Sequence, residues 1–304
     1  FDRAIRIHSF LVNRAELPEK ERAAALSELA LDYLKAGMYD RAESAYESLA
    51  LFKGREVEAH EALMHIYVTE HEWKKAIDAA QKLSGLGRKL NHEISHYYCE
   101  LASLSRLAKD ASRAMQYTNA ALEQNPDNPR ALSMSADLAL EAGDKEGALE
   151  AWNKIEEVQS EYLPLIAAKK ADVLAEADQQ AALAYLHEAF AKTGSVDVLK
   201  AAVQRIAAWG DPQAASGFAA EALKKSPSLS TLAVMSSIKA KANPRDEQVK
   251  LLADITARQS KLVSRYQCRH CGFLAHTFCW QCPGCEQWDT FPPLRVDEVK
   301  NKRR

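Results

Sequence analysis

The stretch YLKAGMYDRAESAY, residues 33–46, contains the pattern that decides the fold of this chain. An aromatic residue, Tyr33, precedes Gly37, and the small residue Ala42 and the large residue Tyr46 follow it. Apolar and small residues at these intervals predict two helices that are joined by a turn at the glycine. Because Ala42 has almost no side chain, we expect the two helices to cross closely at that residue.

The same pattern returns along the chain at a nearly constant interval. The small residue of each copy is Ala42, Ala76, Ala114, Ala148, Ala182 and Ala215, with intervals of 34, 38, 34, 34 and 33 residues. A period of about 34 residues made of two helices is typical of tetratricopeptide repeats. A generic helical bundle has no reason to keep a fixed period. The sequence therefore predicts an all-α, superhelical solenoid of such repeats, although His71 and Lys109 replace the turn glycine in two of them.

The predicted repeat domain covers residues 1–264. Residues 1–16 match only the second helix of a pair, so the series starts within a repeat, and we expect at least one further helix upstream in the parent protein. About six full repeats follow, and Pro126 and Pro227 are placed to end the second helix of two of them. Two capping helices are predicted after Pro227, at about 229–242 and 245–264.

A small metal-binding module is predicted at residues 265–295. It contains two Cys-x-x-Cys pairs, Cys268 with Cys271 and Cys282 with Cys285. Two residues between the thiols let one tight turn direct both sulfur atoms at a single ion, and two such turns complete a tetrahedron. Four thiolates leave no open position, so the site is expected to be structural, with one iron or zinc ion per chain. Two disulfides are the alternative, but little else in the sequence is typical of a secreted protein.

The composition limits the classes of function. The chain has 304 residues and a formal net charge of −2, which argues against binding nucleic acid through bulk charge. No nucleophile elbow, phosphate-binding loop or HExxH motif is present, and we predict a binding protein rather than an enzyme. Projection of the repeat phase predicts a groove that binds a partner. Its predicted residues are Glu58, Glu61, His65, His96, Arg106, Arg130 and Asp137.

Helical repeats followed by a CxxCG…CPxC module are similar to the lipopolysaccharide assembly protein B family of Gram-negative bacteria. Three stretches carry the resemblance: residues 2–8 (DRAIRIH), 39–43 (YDRAE), and 266–273 (YQCRHCGF) with 282–285 (CPGC). The resemblance extends over the whole chain and implies a rubredoxin-type module at its end. Glu286 stands where the second knuckle of such modules usually has glycine.

The resemblance implies a regulatory adaptor at the cytoplasmic face of the inner membrane, held there by an N-terminal helix that this chain lacks. Members of the family help a membrane AAA+ metalloprotease to degrade the deacetylase that commits the cell to lipid A synthesis. Other lipopolysaccharide assembly proteins and inner-membrane regulators are further implied partners, and the sequence leaves a homodimer open.

Two other functions compete with an adaptor. The tetrathiolate could hold iron and transfer one electron, or the module could bind nucleic acid, since residues 296–304 form a basic tail with Lys300, Lys302, Arg303 and Arg304. The repeats offer no basic stripe for nucleic acid, and such tail charges are usually solvated or attracted to anionic lipid. We therefore favour the adaptor and expect no nucleic-acid partner.

Overall fold

The computed structural model describes residues 1–263 and 265–296, and these residues form two compact units, Phe1–Ala131 and a second unit that begins at Leu132. The basic tail, apart from its first residue, lies outside the described residues. The helices are α1 (Asp2–Val12), α2 (Glu19–Lys35), α3 (Tyr39–Leu49), α4 (Glu56–Thr69), α5 (Trp73–Gly85), α6 (Asn91–Leu107), α7 (Ala111–Gln124), α8 (Pro129–Glu141), α9 (Lys145–Val158), α10 (Leu163–Ala177), α11 (Gln179–Thr193), α12 (Val196–Ala208), α13 (Pro212–Lys225), α14 (Leu229–Ala242) and α15 (Glu247–Val263). A short 3₁₀ helix, Ser160–Tyr162, precedes α10.

Consecutive helices pack as pairs. In the first unit α2 packs on α3, α4 on α5, and α6 on α7; in the second unit α10 packs on α11, α12 on α13, and α14 on α15. The predicted small residues lie where the two helices of a pair meet. Ala42, Ala76, Ala114, Ala148, Ala182 and Ala215 are all 0% exposed. The predicted all-α repeat fold is confirmed, and its periodicity arises from this requirement for close approach.

The small anchor residue can be tested against its exposed neighbour in α11. We expect Ala182→Leu to lower the free energy of unfolding by about 1–3 kcal/mol, because extra methylene groups in a filled contact force neighbouring side chains out of place. Ala181 is exposed, so Ala181→Leu is a matched control that should change stability by less than about 0.5 kcal/mol. Urea unfolding of the two variants measures the difference, and equal midpoints would contradict the role of the anchor.

The turns between paired helices use the left-handed backbone region. Gly37, Gly143 and Gly210 have φ of 71°, 82° and 95°, and the residues that replace glycine follow them, with φ of 59° at His71 and 60° at Lys109. Residues with a Cβ atom are strained in this region. The degenerate repeats therefore keep the geometry of the turn although they have lost the glycine.

Lys109 offers a direct measure of this strain, because its side chain is exposed. We expect Lys109→Gly to raise the free energy of unfolding by about 0.5–1 kcal/mol, since relief of left-handed strain exceeds the entropy that glycine adds to the unfolded chain. Lys109→Ala keeps the Cβ atom and should give no such gain. A destabilised Lys109→Gly protein in thermal or urea unfolding would refute this account.

Ion pairs connect neighbouring repeats within each unit. In the first unit Glu43 pairs with Lys75 (3.0 Å) and Glu100 with Arg130 (2.7 Å). In the second unit Lys169 pairs with Asp137 (2.6 Å), and the carboxylate of Asp172 accepts two hydrogen bonds from the guanidinium of Arg205. The partners are 30 to 33 residues apart in sequence, close to one repeat. The repeat period thus organises surface charge as well as the core.

The polypeptide changes character after α15. Strands β1 (Tyr266–Gln267) and β2 (Leu274–Ala275) pair antiparallel, with Tyr266 opposite Ala275, and a single bridge joins Gln281 to Trp288. Apart from the cysteines, the apolar core here contains Tyr266 and Phe291, which are 6% and 0% exposed. So small a core cannot hold this segment together by hydrophobic burial alone. Every helix among the described residues falls short of the length or the apolar character that a membrane span requires.

Candidate metal centre and its contacts with the repeats

The two Cys-x-x-Cys knuckles have the same backbone geometry. In the first, the amide of Gly272 donates to the carbonyl of Cys268 (3.0 Å), and the amide of Cys268 donates to the carbonyl of Phe273 (2.9 Å). In the second, the corresponding bonds run from Glu286 to Cys282 (2.8 Å) and from Cys282 to Gln287 (2.9 Å). An amide also donates to the first sulfur of each pair, at 3.4 Å and 3.3 Å. Each turn therefore brings its two sulfur atoms to the same side and places a backbone amide against the first of them.

The backbone conformation at the fifth residue of each knuckle shows how Glu286 can stand in a position that usually has glycine. Gly272 has φ of 79° and Glu286 has φ of 58°, so both lie in the left-handed region. Glu286 preserves the turn that the first knuckle forms with glycine, and its amide makes the equivalent bond. Gly284 lies close to an aromatic side chain: a Cβ atom there would lie 3.0 Å from Cδ2 of Phe273, so the Phe273 ring would have to shift to admit a larger residue.

The four predicted cysteines form one cluster. The sulfur atoms of Cys268, Cys271, Cys282 and Cys285 all lie within 4.8 Å of one another. The Sγ–Sγ distance is 3.8 Å from Cys268 to Cys285 and 3.6 Å from Cys271 to Cys282. A tetrahedral ion with metal–sulfur bonds of about 2.3 Å needs sulfur atoms about 3.8 Å apart. The cluster therefore fits a single tetrathiolate metal ion.

The electrostatics of the thiols also suit a cation. Burial raises the pKa of Cys268, but hydrogen bonds from the amides of Cys271 and His270 and from the hydroxyl of Thr290 outweigh it and lower the pKa to about 6. Burial raises the pKa of Cys282 to about 12, and the adjacent thiol of Cys271 contributes in the same direction. The protein alone does not stabilise four thiolates, so a bound cation would supply the missing positive charge and release protons on binding.

Cys279 takes no part in this cluster. Its thiol donates to the carbonyl of Thr277 at 3.7 Å and is half-buried. The nearby histidines, His270 and His276, are exposed. Within the segment that the structure describes, the Cys-x-x-Cys spacing thus distinguishes the four cysteines of the cluster from Cys279.

The module packs against the repeat helices of its own unit. Trp280 stacks on Tyr162, with ring centroids 5.4 Å apart and planes at 15°. Beside this stack, the guanidinium of Arg269 contacts the carboxylate of Glu161 at 2.7 Å. Tyr162 is only 2% exposed, so the contact buries an aromatic face that the repeats would otherwise present to water.

Asp197 makes the second set of contacts. It lies in the first turn of α12, where Ser195 caps the helix and a negative charge is favourable. Its carboxylate accepts hydrogen bonds from Tyr266 (3.1 Å) and from Arg295 (2.9, 3.1 and 3.3 Å). The guanidinium of Arg295 also lies 5.1 Å from the ring centre of Tyr266. One carboxylate thus holds both ends of the metal module.

Sequence reasoning did not identify these docking residues. The paired residues are 69 to 118 positions apart along the chain. The only local signal was the Ser195-x-Asp197 sequence, which reads as an ordinary helix start. The partner of an acidic residue at such a position cannot be inferred from periodicity.

The predicted partner-binding residues in the first unit have different surroundings. Glu61 and His65 are exposed one turn apart on α4, and Glu61 pairs with Arg88 at 2.6 Å. Glu58 accepts hydrogen bonds from Ser27 and Arg55, and Arg106 is half-buried. Arg130 is 8% exposed and His96 is 0% exposed. The binding role of all these residues stays a prediction, and Glu61 with His65 offers the most accessible surface.

Asp137 is the one predicted groove residue in the second unit. Its side chain is largely buried and pairs with Lys169 of α10, one repeat further along. A partner that bound Asp137 would have to compete with this lysine. Its role in binding likewise stays a prediction.

The helical pairs and the thiolate cluster define the class of this protein, a tetratricopeptide-repeat protein with a C-terminal rubredoxin-type metal module. Residues 266–293 match the family described as Rubredoxin metal binding domain. The chain is 30% identical over 302 residues to lipopolysaccharide assembly protein B of Escherichia coli K12, covering 97% of this chain and 77% of that protein. It is 28% identical over 307 residues to the Haemophilus influenzae protein of the same name, covering 98% and 76%. The chain belongs to the lipopolysaccharide assembly protein B family.

Solved repeat proteins are also similar to this chain. A tetratricopeptide repeat protein from Parabacteroides merdae has a TM-score of 0.40 and 17% identity, over 77% of this chain and 98% of that one. The Cut9–Hcn1 hetero-tetramer of the APC/C has a TM-score of 0.37 and 16% identity, over 84% of this chain and 46% of that one.

Proposed function

We propose that this chain is a non-enzymatic adaptor in the control of lipopolysaccharide assembly. The observation that carries the proposal is membership of the lipopolysaccharide assembly protein B family along 97% of the chain. The fold supports it, because stacked helical pairs offer extended surfaces that bind other proteins. The module supports it as well, since four sulfur ligands fill a tetrahedral ion and leave no position for a substrate.

The adaptor is proposed to act at the cytoplasmic face of the inner membrane. There it would bring a membrane AAA+ metalloprotease together with the deacetylase that commits the cell to lipid A synthesis. One iron or zinc ion per chain would hold the terminal module folded against the repeats. In this scheme the repeats bind partners and the metal has a structural role.

A reconstituted degradation assay tests the proposal. The protease and the deacetylase are combined in liposomes, with and without this protein fused to a membrane anchor, and the half-life of the deacetylase is measured. We expect the half-life to shorten while degradation of an unrelated unfolded substrate stays unchanged. An unchanged half-life would refute the adaptor role, and equal acceleration for both substrates would indicate general activation of the protease.

The exposed pair on α4 locates the partner surface within the same assay. Glu61→Ala with His65→Ala removes two accessible side chains without opening a core, so the melting temperature should change little. We expect weaker acceleration of degradation from this variant. Lys74→Ala, an exposed change on α5, is the matched control and should retain full activity. Full activity of the double variant would remove α4 from the proposed partner surface.

A further inference from the structure

The last helix of the repeats has an unusual distribution of side chains. Helix α15 turns small residues toward α14: Ala253 and Thr256 are buried, and the hydroxyl of Ser260 lies 3.3 Å from that of Ser230. Its large aliphatic residues lie on the other side. Leu251, Leu252, Ile255, Leu262 and Val263 are between 44% and 61% exposed.

This arrangement is the reverse of what a terminal helix requires. A cap at the end of a repeat array normally has a polar outer face, because no further repeat covers it. A row of exposed aliphatic residues along one helix is typical of a surface that binds another protein. The spacing of Leu252, Ile255, Gln259 and Leu262 is three, four and three residues, as in the seam of two packed helices.

The charged residues beside this aliphatic row favour a second copy of the same helix as the partner. Asp254 lies in the first half of α15, and Arg258 and Lys261 lie in the second half, all three exposed. Their side chains form no ion pair among the residues that the structure describes. An antiparallel copy of the same helix would place Asp254 of each chain beside Arg258 and Lys261 of the other.

We propose that α15 is a homodimer interface, in which the aliphatic rows of two copies pack antiparallel about a two-fold axis. Such an interface is isologous, so that each chain contributes the same surface and the assembly closes at two. The inference rests on α15 alone and is independent of the proposed adaptor function.

Sedimentation velocity over a range of concentrations tests the interface with the complete chain. We expect a reversible dimer with a Kd of about 1–100 μM, in the range of small interfaces. Ile255→Glu with Leu262→Glu should weaken it at least about tenfold, since two charges would be buried in the seam. Leu107→Glu, at an exposed leucine of α6, is the matched control and should leave the Kd unchanged. A wild-type monomer throughout, or a double variant that still dimerises, would overturn the proposal.

Charge exchange tests the direction of the helices. Asp254→Lys should weaken an antiparallel dimer, because the introduced ammonium group then faces Arg258 and Lys261 of the other chain. An equimolar mixture with Arg258→Glu/Lys261→Glu should restore it. In a parallel dimer Asp254 faces its own copy, so the single exchange replaces one repulsion by another and the Kd should not change. That result would overturn the antiparallel arrangement.

Flotation with anionic phospholipid vesicles tests the alternative that the aliphatic row of α15 binds lipid instead of a second chain. If the row bound lipid, the wild type would float with the vesicles, Ile255→Glu/Leu262→Glu would not, and both would be monomeric without lipid. This combination would replace the dimer by a membrane contact. A dimer that does not float supports the proposed interface.

Discussion

Removal of the metal is expected to unfold residues 265–296 and to leave the helices of the repeats in place. Cys282→Ser, or a strong chelator, should abolish the ordered near-ultraviolet circular dichroism of Trp280 and Trp288. The helical far-ultraviolet signal should change little, because no helix depends on the metal for its backbone hydrogen bonds. Elemental analysis of the same samples should show that metal content and tryptophan order are lost together.

The expected effect is large because the module has so little else to stabilise it. Its strands have two residues each, and two of the four principal buried residues of its core are the ligands Cys268 and Cys282 themselves. Structural zinc in comparable peptides contributes about 10–16 kcal/mol of apparent binding free energy at neutral pH, which in such systems is folding free energy. Without the ion, the four sulfur atoms no longer form a compact charged cluster for the backbone amides to surround.

Cys279→Ser provides the matched control. Cys279 lies in the same segment and is replaced by the same residue, serine. Its thiol is outside the cluster and donates to the carbonyl of Thr277. It should keep its metal, its tryptophan signal and its melting temperature. If Cys279→Ser lost the metal, or if the metal-free Cys282→Ser protein kept an ordered module, the structural role assigned to the four-cysteine cluster would be wrong.

The features that could be predicted from the sequence are those set by local spacing. The six anchor alanines follow from the period, and their complete burial confirms why the period exists. The two knuckles follow from Cys-x-x-Cys spacing, because a tight turn must aim both thiols. Even the degenerate turns fit, since His71 and Lys109 take the left-handed conformation of the glycine they replace.

The features that could not be predicted depend on pairing between distant segments. The projection of repeat phase onto a groove included His96, which is 0% exposed, and Arg130, which pairs with Glu100; their binding role stays a prediction. A helix phase error of one residue moves a side chain from the surface to the core. Likewise, nothing near Asp197 in sequence indicates that its partners are Tyr266 and Arg295.

Asp197→Asn is expected to weaken the docking of the metal module on the repeats without removing the metal. The substitution keeps the size of the side chain but removes the charge that Arg295 contacts. Hydrogen bonds to a charged group contribute about 1.5–3 kcal/mol, and we expect the free energy of unfolding to fall by that amount. The side chains of Asp197 and Arg295 are only 29% and 16% exposed, so water replaces the lost contact poorly.

The matched control for this prediction is Asp172→Asn. Asp172 also pairs with an arginine, Arg205, but its side chain is 60% exposed. Exposed ion pairs contribute about 0–1 kcal/mol, so the control should be nearly neutral in urea unfolding. A double-mutant cycle with Arg295→Gln then isolates the Asp197–Arg295 pair, and we expect a coupling energy above about 1 kcal/mol.

Hydrogen exchange distinguishes detachment of the module from its unfolding. In Asp197→Asn the amides of the knuckles should stay protected, because the metal still closes both turns, while the amides around Tyr162 and at the start of α12 should exchange faster. The Trp280–Tyr162 stack and the Arg269–Glu161 pair form a second contact, so docking should weaken rather than disappear. Unchanged exchange around Tyr162 would show that the stack alone holds the module, and loss of protection within the knuckles would show that docking and metal binding form one cooperative unit.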